Sequence, residues 1–390
     1  MPVREQRVTP LELFFDLVFV YAITQVTLSM SNDPSWAGVA RGLLVLAAVW
    51  WAWTGYAWLT NTLEPEQGAV RAGVLAAMAA MLVVALAVPG AFAGDAVLFG
   101  VAYLVVRVLH VVLYALAGKK DPDLLGAVLR LTPSATLAPA IILGAGFADG
   151  ATQATLWALA LAGDYLGALV GRGQGWRVSP AHFAERHGLI VLIALGESIV
   201  AIGVGAAGVP LTAGVVSAAI LGMVVVAALW WAYFDVYAVL AEQLLSRASG
   251  TNRALLARDY YSYLHLPMVA GIVLFALGLK KTLEHVDDPL ATLPALALSG
   301  GLCLYFLAHL AMRIRLVHHL RRTTSERPGW IGPGRLATAL ALLVVTPLVL
   351  ELPALASLLL VAAICCALIA WDLVHYREHR TVVRQQARAS

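Results

Sequence analysis

The sequence predicts an all-α polytopic membrane bundle, about twelve transmembrane helices arranged as two parallel six-helix repeats, and three observations predict it. The 390 residues are 61% hydrophobic and only 13% charged, with a mean hydropathy of +0.82. That composition excludes an ordinary soluble domain. Apolar stretches of about 20 residues, the length that crosses a bilayer, recur twelve times along the chain. The basic residues then fall on one side of the resulting zigzag.

In order, the stretches lie near 11–30, 37–60, 70–89, 96–117, 127–147, 152–171, 184–207, 211–241, 259–281, 291–318, 335–350 and 353–376. With a cytoplasmic N-terminus, the inward segments hold 22 of the 26 Lys and Arg residues. Among them are Arg4, Arg7, Lys119, Lys120, Arg172, Arg177, Arg247, Arg253, the run from Arg313 to Arg335 and the tail from Arg377. The outward loops hold Arg41, Lys280 and Lys281, and Arg107 is the one arginine placed deep inside a span. An odd number of spans would destroy this bias, so the positive-inside rule predicts that both termini lie in the cytoplasm.

The net charge of +3 is spread over the cytoplasmic edges. It reads as topology and contact with membrane lipids, and no basic stripe interleaved with aromatics points to nucleic acid. The first span carries an acid and has no small-residue cleavage site after it, so it is expected to stay as a helix. Cys303, Cys365 and Cys366 all fall within spans, which suits neither a disulfide framework nor a zinc site. No metal or cofactor is expected, and oligomeric state leaves no signal in the sequence.

The halves, 1–181 and 182–390, echo one another. Asp16 in Leu13-Phe14-Phe15-Asp16-Leu17 and Glu197 in Ala194-Leu195-Gly196-Glu197-Ser198 each open a half, 181 residues apart. Trp50-Trp51-Ala52-Trp53 is answered by Trp230-Trp231-Ala232-Tyr233, Tyr56 by Tyr237, and Tyr103-x-x-x-Arg107 by Tyr305-x-x-x-His309. Asp164 and Asp372 close the two halves. Six helices per half would make the repeats parallel, related by an axis along the membrane normal.

A carboxylate in hydrocarbon is costly and needs a partner, a cavity or a proton. Asp16 and Glu197 are therefore the principal candidates for binding or protonation, against the plainer reading that they only tie helices together. Asp16 lies about 8 Å into its helix at 1.5 Å per residue, and Glu12 shares its face one turn earlier. The segment from Ser179 to Gly188 is the most polar in the chain. Within it His182, Glu185 and Arg186 can meet on one face as a gate or proton relay, or merely begin an amphipathic helix. His187 lies five residues beyond His182, which puts them about 140° apart around a helix, a poor chelating geometry.

Arg107 shares a helical side with Tyr103 and His110. A buried guanidinium needs a carboxylate, and Asp16, Asp164 or Asp235 could supply it, with Asp16 or Asp164 favoured. In the second half Glu197 is expected to pair with His309. Trp50, Trp51, Trp230 and Trp231 read either as a membrane-interface belt or as the lining of a cavity facing the acids. Gly163, Gly167 and Gly171, four apart, predict a close helix approach.

These same residues resemble a known family. Thr9-Pro10-Leu11-Glu12-Leu13-Phe14-Phe15-Asp16-Leu17-Val18-Phe19-Val20, Asp164-Tyr165, the run Gly175-Trp176-Arg177-Val178-Ser179-Pro180-Ala181-His182-Phe183-Ala184-Glu185-Arg186-His187-Gly188, and Ala194-Leu195-Gly196-Glu197-Ser198-Ile199 are similar to the bacterial low temperature requirement A (LtrA) family. The resemblance implies a polytopic bacterial membrane protein and supplies no mechanism. A looser likeness, to endolysosomal potassium channels of two six-helix repeats, is one of architecture: Phe15-Asp16 lacks the serine of their Arg-x-x-x-Phe-Ser-Asp motif, and Arg7 lies too far upstream.

Taken together, the residues favour a transporter or channel for a small solute, proton or cation working through intramembrane carboxylates. Two other readings stand beside it. One is an intramembrane enzyme acting on a lipid or isoprenoid-like substrate by acid/base chemistry. The other is a structural membrane protein linked to growth at low temperature.

Overall fold

The structure is a computed structural model that describes residues 7–63, 66, 68–119, 121–170, 173–323, 334–375 and 377. Lys120, Arg172, Gly171 and most of the basic tail lie outside the described residues, as do Arg4 and Arg327. Among the described residues the fold is all helical, apart from one isolated bridge pairing Pro289 with Pro353.

The helices are α1 (Pro10–Asn32), α2 (Trp36–Thr60), α3 (Gly68–Ala87), α4 (Ala96–Gly118), α5 (Pro122–Ala145), α6 (Gly150–Val170), α7 (Pro180–Ala206), α8 (Ala213–Phe234), α9 (Tyr237–Arg247), α10 (Gly250–Leu256), α11 (His265–Glu284), α12 (Thr292–Thr323), α13 (Gly334–Val349) and α14 (Ala354–His375). α9 follows α8 after a two-residue turn, and a π-helical segment, Ala257–Tyr263, joins α10 to α11. Counted as continuous rods, these are the twelve stretches read from the sequence. Ten of them are long and apolar enough to cross a membrane, and α6 and α13 fall outside that group.

Local chemistry sets the helix starts. Thr9 caps α1 in a capping box with Glu12, and Pro10 occupies the first turn, where its missing N–H costs nothing. Ser35, Asp121 and Thr212 accept backbone N–H groups at the starts of α2, α5 and α8.

The solvent-facing pattern is the reverse of a soluble protein's. α1 turns Leu13, Phe14 and Leu17 outward while it buries Glu12, Phe15, Asp16 and Phe19. α4 likewise exposes Leu98, Val101, Val105, Val108 and Val112 and buries Arg107 and His110. Rows of large apolar side chains around a polar interior belong in lipid, where helices satisfy their own backbone.

The chain forms two compact units. Unit 1 comprises residues 1–186 and 245–258, and unit 2 comprises 187–244 and 259–390. In unit 1, α4 packs closely on α5: a Cβ on Gly100 would lie 2.6 Å from the Leu143 Cα. In unit 2, Gly271, Gly278 and Gly301 bring α11 and α12 backbone to backbone; a Cβ on Gly271 would meet the Gly301 carbonyl at 2.6 Å.

The glycine prediction on α6 needs correction. Gly167 does meet Ser134 closely, but Gly163 faces open space, because the four-residue period drifts around a helix of 3.6 residues per turn. Arg107 is not alone in being buried. Arg186, Arg313 and Arg335 are as buried, since α7 begins four residues earlier than predicted and α12 and α13 carry these arginines on interior faces.

Candidate functional site

The densest polar centre of unit 1 is built by α1, α2 and the first two turns of α7. Glu12 and Asp16, one helical turn apart, present their carboxylates to one guanidinium. Arg186 Nη1 donates to Glu12 Oε1 at 2.8 Å and Nη2 donates to Asp16 Oδ1 at 2.7 Å. Arg186 also donates to Thr60 Oγ1, and its Cζ lies 5.8 Å from the centroid of the Trp53 ring. Trp53 Nε1 donates to Asp16 Oδ1 at 2.9 Å. Arg186 and His182 are fully buried, with Glu12 at 1% and Asp16 at 2% exposure, so these charges must be met within the protein.

The protonation state of His182 follows from its neighbours. Asn61 Oδ1 accepts the Ser179 backbone N–H at 2.7 Å, and Asn61 Nδ2 donates to the Ser179 carbonyl. That fixes the amide orientation and leaves Nδ2 as the donor facing His182 Nδ1 at 2.9 Å. His182 Nδ1 must therefore accept, so the ring is neutral with its proton on Nε2, which donates to Glu12 at 3.1 Å. Glu12 accepts further bonds from the backbone N–H and hydroxyl of Thr9. Asp16 Oδ2, by contrast, is buried without a hydrogen-bond partner.

A second buried pair stands apart from this network in the same unit. Arg107 Nη2 on α4 donates to Asp164 Oδ2 on α6 at 2.8 Å, with both side chains almost wholly buried. Of the carboxylates named for Arg107, the structure selects Asp164. His110 Nε2 meets the Gly55 carbonyl at 3.1 Å, and its ring packs on Tyr56 and Tyr114. Trp50 and Trp51 are buried within the protein, and Trp51 stacks on Tyr165 at 4.0 Å. Glu185 lies away from the buried acids and accepts the Val8 backbone N–H.

In unit 2, His187 is buried against Tyr261 and His265. Glu197 is buried on α7, and Asp235 is half-buried at the C-terminal cap of α8. Trp230 is 43% exposed and Trp231 is half-buried. The expected Glu197–His309 pair does not form. His309 is fully buried with no hydrogen bond on either ring nitrogen and packs on Tyr237 and Tyr305. Among the described residues no group of three or more His, Cys, Asp or Glu is placed to hold a metal ion.

Trp53, one of the aromatics the sequence clusters at the end of α2, joins the site together with Thr60 and Asn61, which the sequence did not single out. Their spacing of seven and eight residues places them on one stripe of α2, which is the signal that would have found them. Arg335 and Asp372, which pair in unit 2, had no comparable signal, because α13 and α14 meet only in three dimensions.

Comparison with known proteins adds the lineage. The bacterial low temperature requirement A protein family matches residues 7–370. The chain belongs to the LtrA family. An uncharacterized protein from Rhizobium meliloti (strain 1021) is 31% identical over 313 residues, which cover 77% of this chain and 76% of the relative. No solved structure matches the LtrA chain. The family match takes in every residue of the Glu12–Asp16–Arg186–His182 network.

Proposed function

We propose that this multi-pass membrane protein moves a small solute or ion across the bacterial cytoplasmic membrane, coupled to a proton carried by Asp16. The observation that supports this is the charge count of the buried network. Two carboxylates face one guanidinium, and Asn61 holds His182 neutral. With both acids ionised the cluster carries one uncompensated negative charge in a low-dielectric interior, which is expensive. One proton removes it. Glu12 accepts from Thr9, His182 and Arg186 and is the more firmly ionised acid, whereas Asp16 Oδ2 has no partner. Asp16 is therefore the group that loads and releases the proton, and Arg186 is the permanent countercharge. Arg107–Asp164 is already balanced and serves as a fixed strut.

The distribution of Lys and Arg supports a cytoplasmic location for both termini. The Glu12–Asp16 end of α1 then lies near the cytoplasmic face, within reach of protons from that side.

The test is proton and cation flux into liposomes carrying wild-type protein, Asp16→Asn or Glu12→Gln. Asp16→Asn leaves Glu12 and Arg186 balanced, so it is expected to fold like wild type and lose coupled flux. A folded Asp16→Asn protein with undiminished flux, or a wild type silent under a broad set of gradients, overturns the proposal. Loss of fold and flux together in Asp16→Asn would favour the structural reading.

A further inference from the structure

The two units solve one structural problem with different residues, and the difference releases a histidine. In unit 1, Tyr103 Oη donates to the Ala48 carbonyl at 3.1 Å, and in unit 2 Tyr305 Oη donates to the Leu229 carbonyl at 2.7 Å. Four residues after each tyrosine stand Arg107 and His309. Arg107 is consumed by Asp164 on α6. The acid in the last helix of unit 2, Asp372, instead takes Arg335 from α13. His309 is thus excused from pairing an acid, and it keeps both ring nitrogens without a hydrogen bond at 0% exposure.

Its surroundings are rich in donors and positive charge. The ring of His309 lies 4.6 Å from that of Tyr237 and 6.1 Å from that of Tyr305. Over the same Tyr237 ring sit two buried guanidiniums, Arg313 with its Cζ at 4.9 Å and Arg335 at 5.5 Å. Arg335 keeps its Nε–H unmet while Nη1 is on Asp372. His265 is the other titratable side chain that acts electrostatically on His309. Arg313 enters through its field, and the vacant donors are those of His309 and Arg335. Unmet buried donors in a native protein are normally met by a water or an ion. Guanidinium is weakly hydrated and suited to desolvated anion contacts.

We propose that His309 and Arg335, in the field of Arg313, form a buried binding site in unit 2 for a small inorganic anion of the halide class. The enclosure favours an anion of one or very few atoms, because every side chain named is at most 2% exposed apart from Tyr237 at 8% and the partly exposed Asp372. The site does not depend on proton coupling in unit 1, and its test needs no gradient.

The experiment uses the full-length protein in detergent, titrated with sodium chloride or sodium bromide against sodium gluconate at matched ionic strength, and reads thermal unfolding together with chlorine-35 NMR line broadening. Wild type is expected to give a saturable chloride- and bromide-dependent rise in Tm of a few degrees and excess chlorine-35 broadening that bromide competes away. His309→Leu should lose both, and His309→Gln, which retains an N–H, should recover part of each. Equal Tm in chloride and gluconate with no excess broadening, the result for a buried water only, overturns the site. So does a chloride effect of wild-type size in His309→Leu. Should His309→Leu fail to fold, wild type and His309→Gln decide the matter by the same two readouts.

Discussion

Arg186 is the residue on which the unit 1 network depends. It serves two acids at once, so removing it differs from removing either acid. Arg186→Met leaves Glu12 and Asp16 with only the neutral donors Thr9, His182 and Trp53 and no countercharge, and breaking a buried pair from one side costs about 3–5 kcal/mol. Denaturant or thermal unfolding should register that loss, and the triple variant Arg186→Met, Asp16→Asn, Glu12→Gln should regain most of it; a triple variant no better than the single one would mean that Arg186 stabilises by packing. The sequence exposed part of this chemistry. Asp16 stood out because acids are rare in apolar runs, and the i, i+4 spacing already put His182 and Arg186 on one face. The meeting of that face with Glu12, 170 and 174 residues away, is set by packing that periodicity does not encode. For the same reason a helix-edge arginine reads as cytoplasmic until its helix is seen to be buried.

At the scale of elements, hydropathy placed most rods within a few residues, since about 20 apolar residues in a row have few other fates, and it missed the start of the ninth, which runs from Gly250 rather than from 259, because its first turns are polar. It placed the helix contacts less well. Gly271 and Gly278 on α11 and Gly301 on α12 bring two backbones close together in unit 2, whereas the more regular glycines of α6 contribute only Gly167. Gly271→Leu should therefore disrupt the α11–α12 packing, and Gly163→Ala, in the exposed middle of α6, should be tolerated and gain up to about 1 kcal/mol through helix propensity. Thermal unfolding in detergent checks both, and a tolerated Gly271→Leu would show that α11 and α12 can separate at little cost. The π-helical Ala257–Tyr263 had no sequence signal. Such segments break the regular ladder, and this one sets Tyr260, Tyr261 and His265 in ring contact.

For the whole molecule, composition was decisive and fold class followed from it. Function was legible only as a set of buried charges, because a charge reveals its cost in a sequence but not its partner. The topology is directly testable: reporter fusions after Arg377 and ahead of Pro10 should both be active only as cytoplasmic reporters, and opposite signals from the two ends would require an odd number of crossings.

The tyrosine–carbonyl bonds of Tyr103 and Tyr305 carry one more consequence. Each hydroxyl takes the carbonyl of a neighbouring helix, and the acceptor positions, 48 and 229, are separated by the same 181 residues as Asp16 and Glu197. Tyr103→Phe and Tyr305→Phe each delete one tyrosine–carbonyl bond, the first in the unit that holds the Arg107–Asp164 pair and the second beside His309, whose ring nitrogens make no hydrogen bond, so thermal unfolding of the two variants compares what each bond contributes in its own setting.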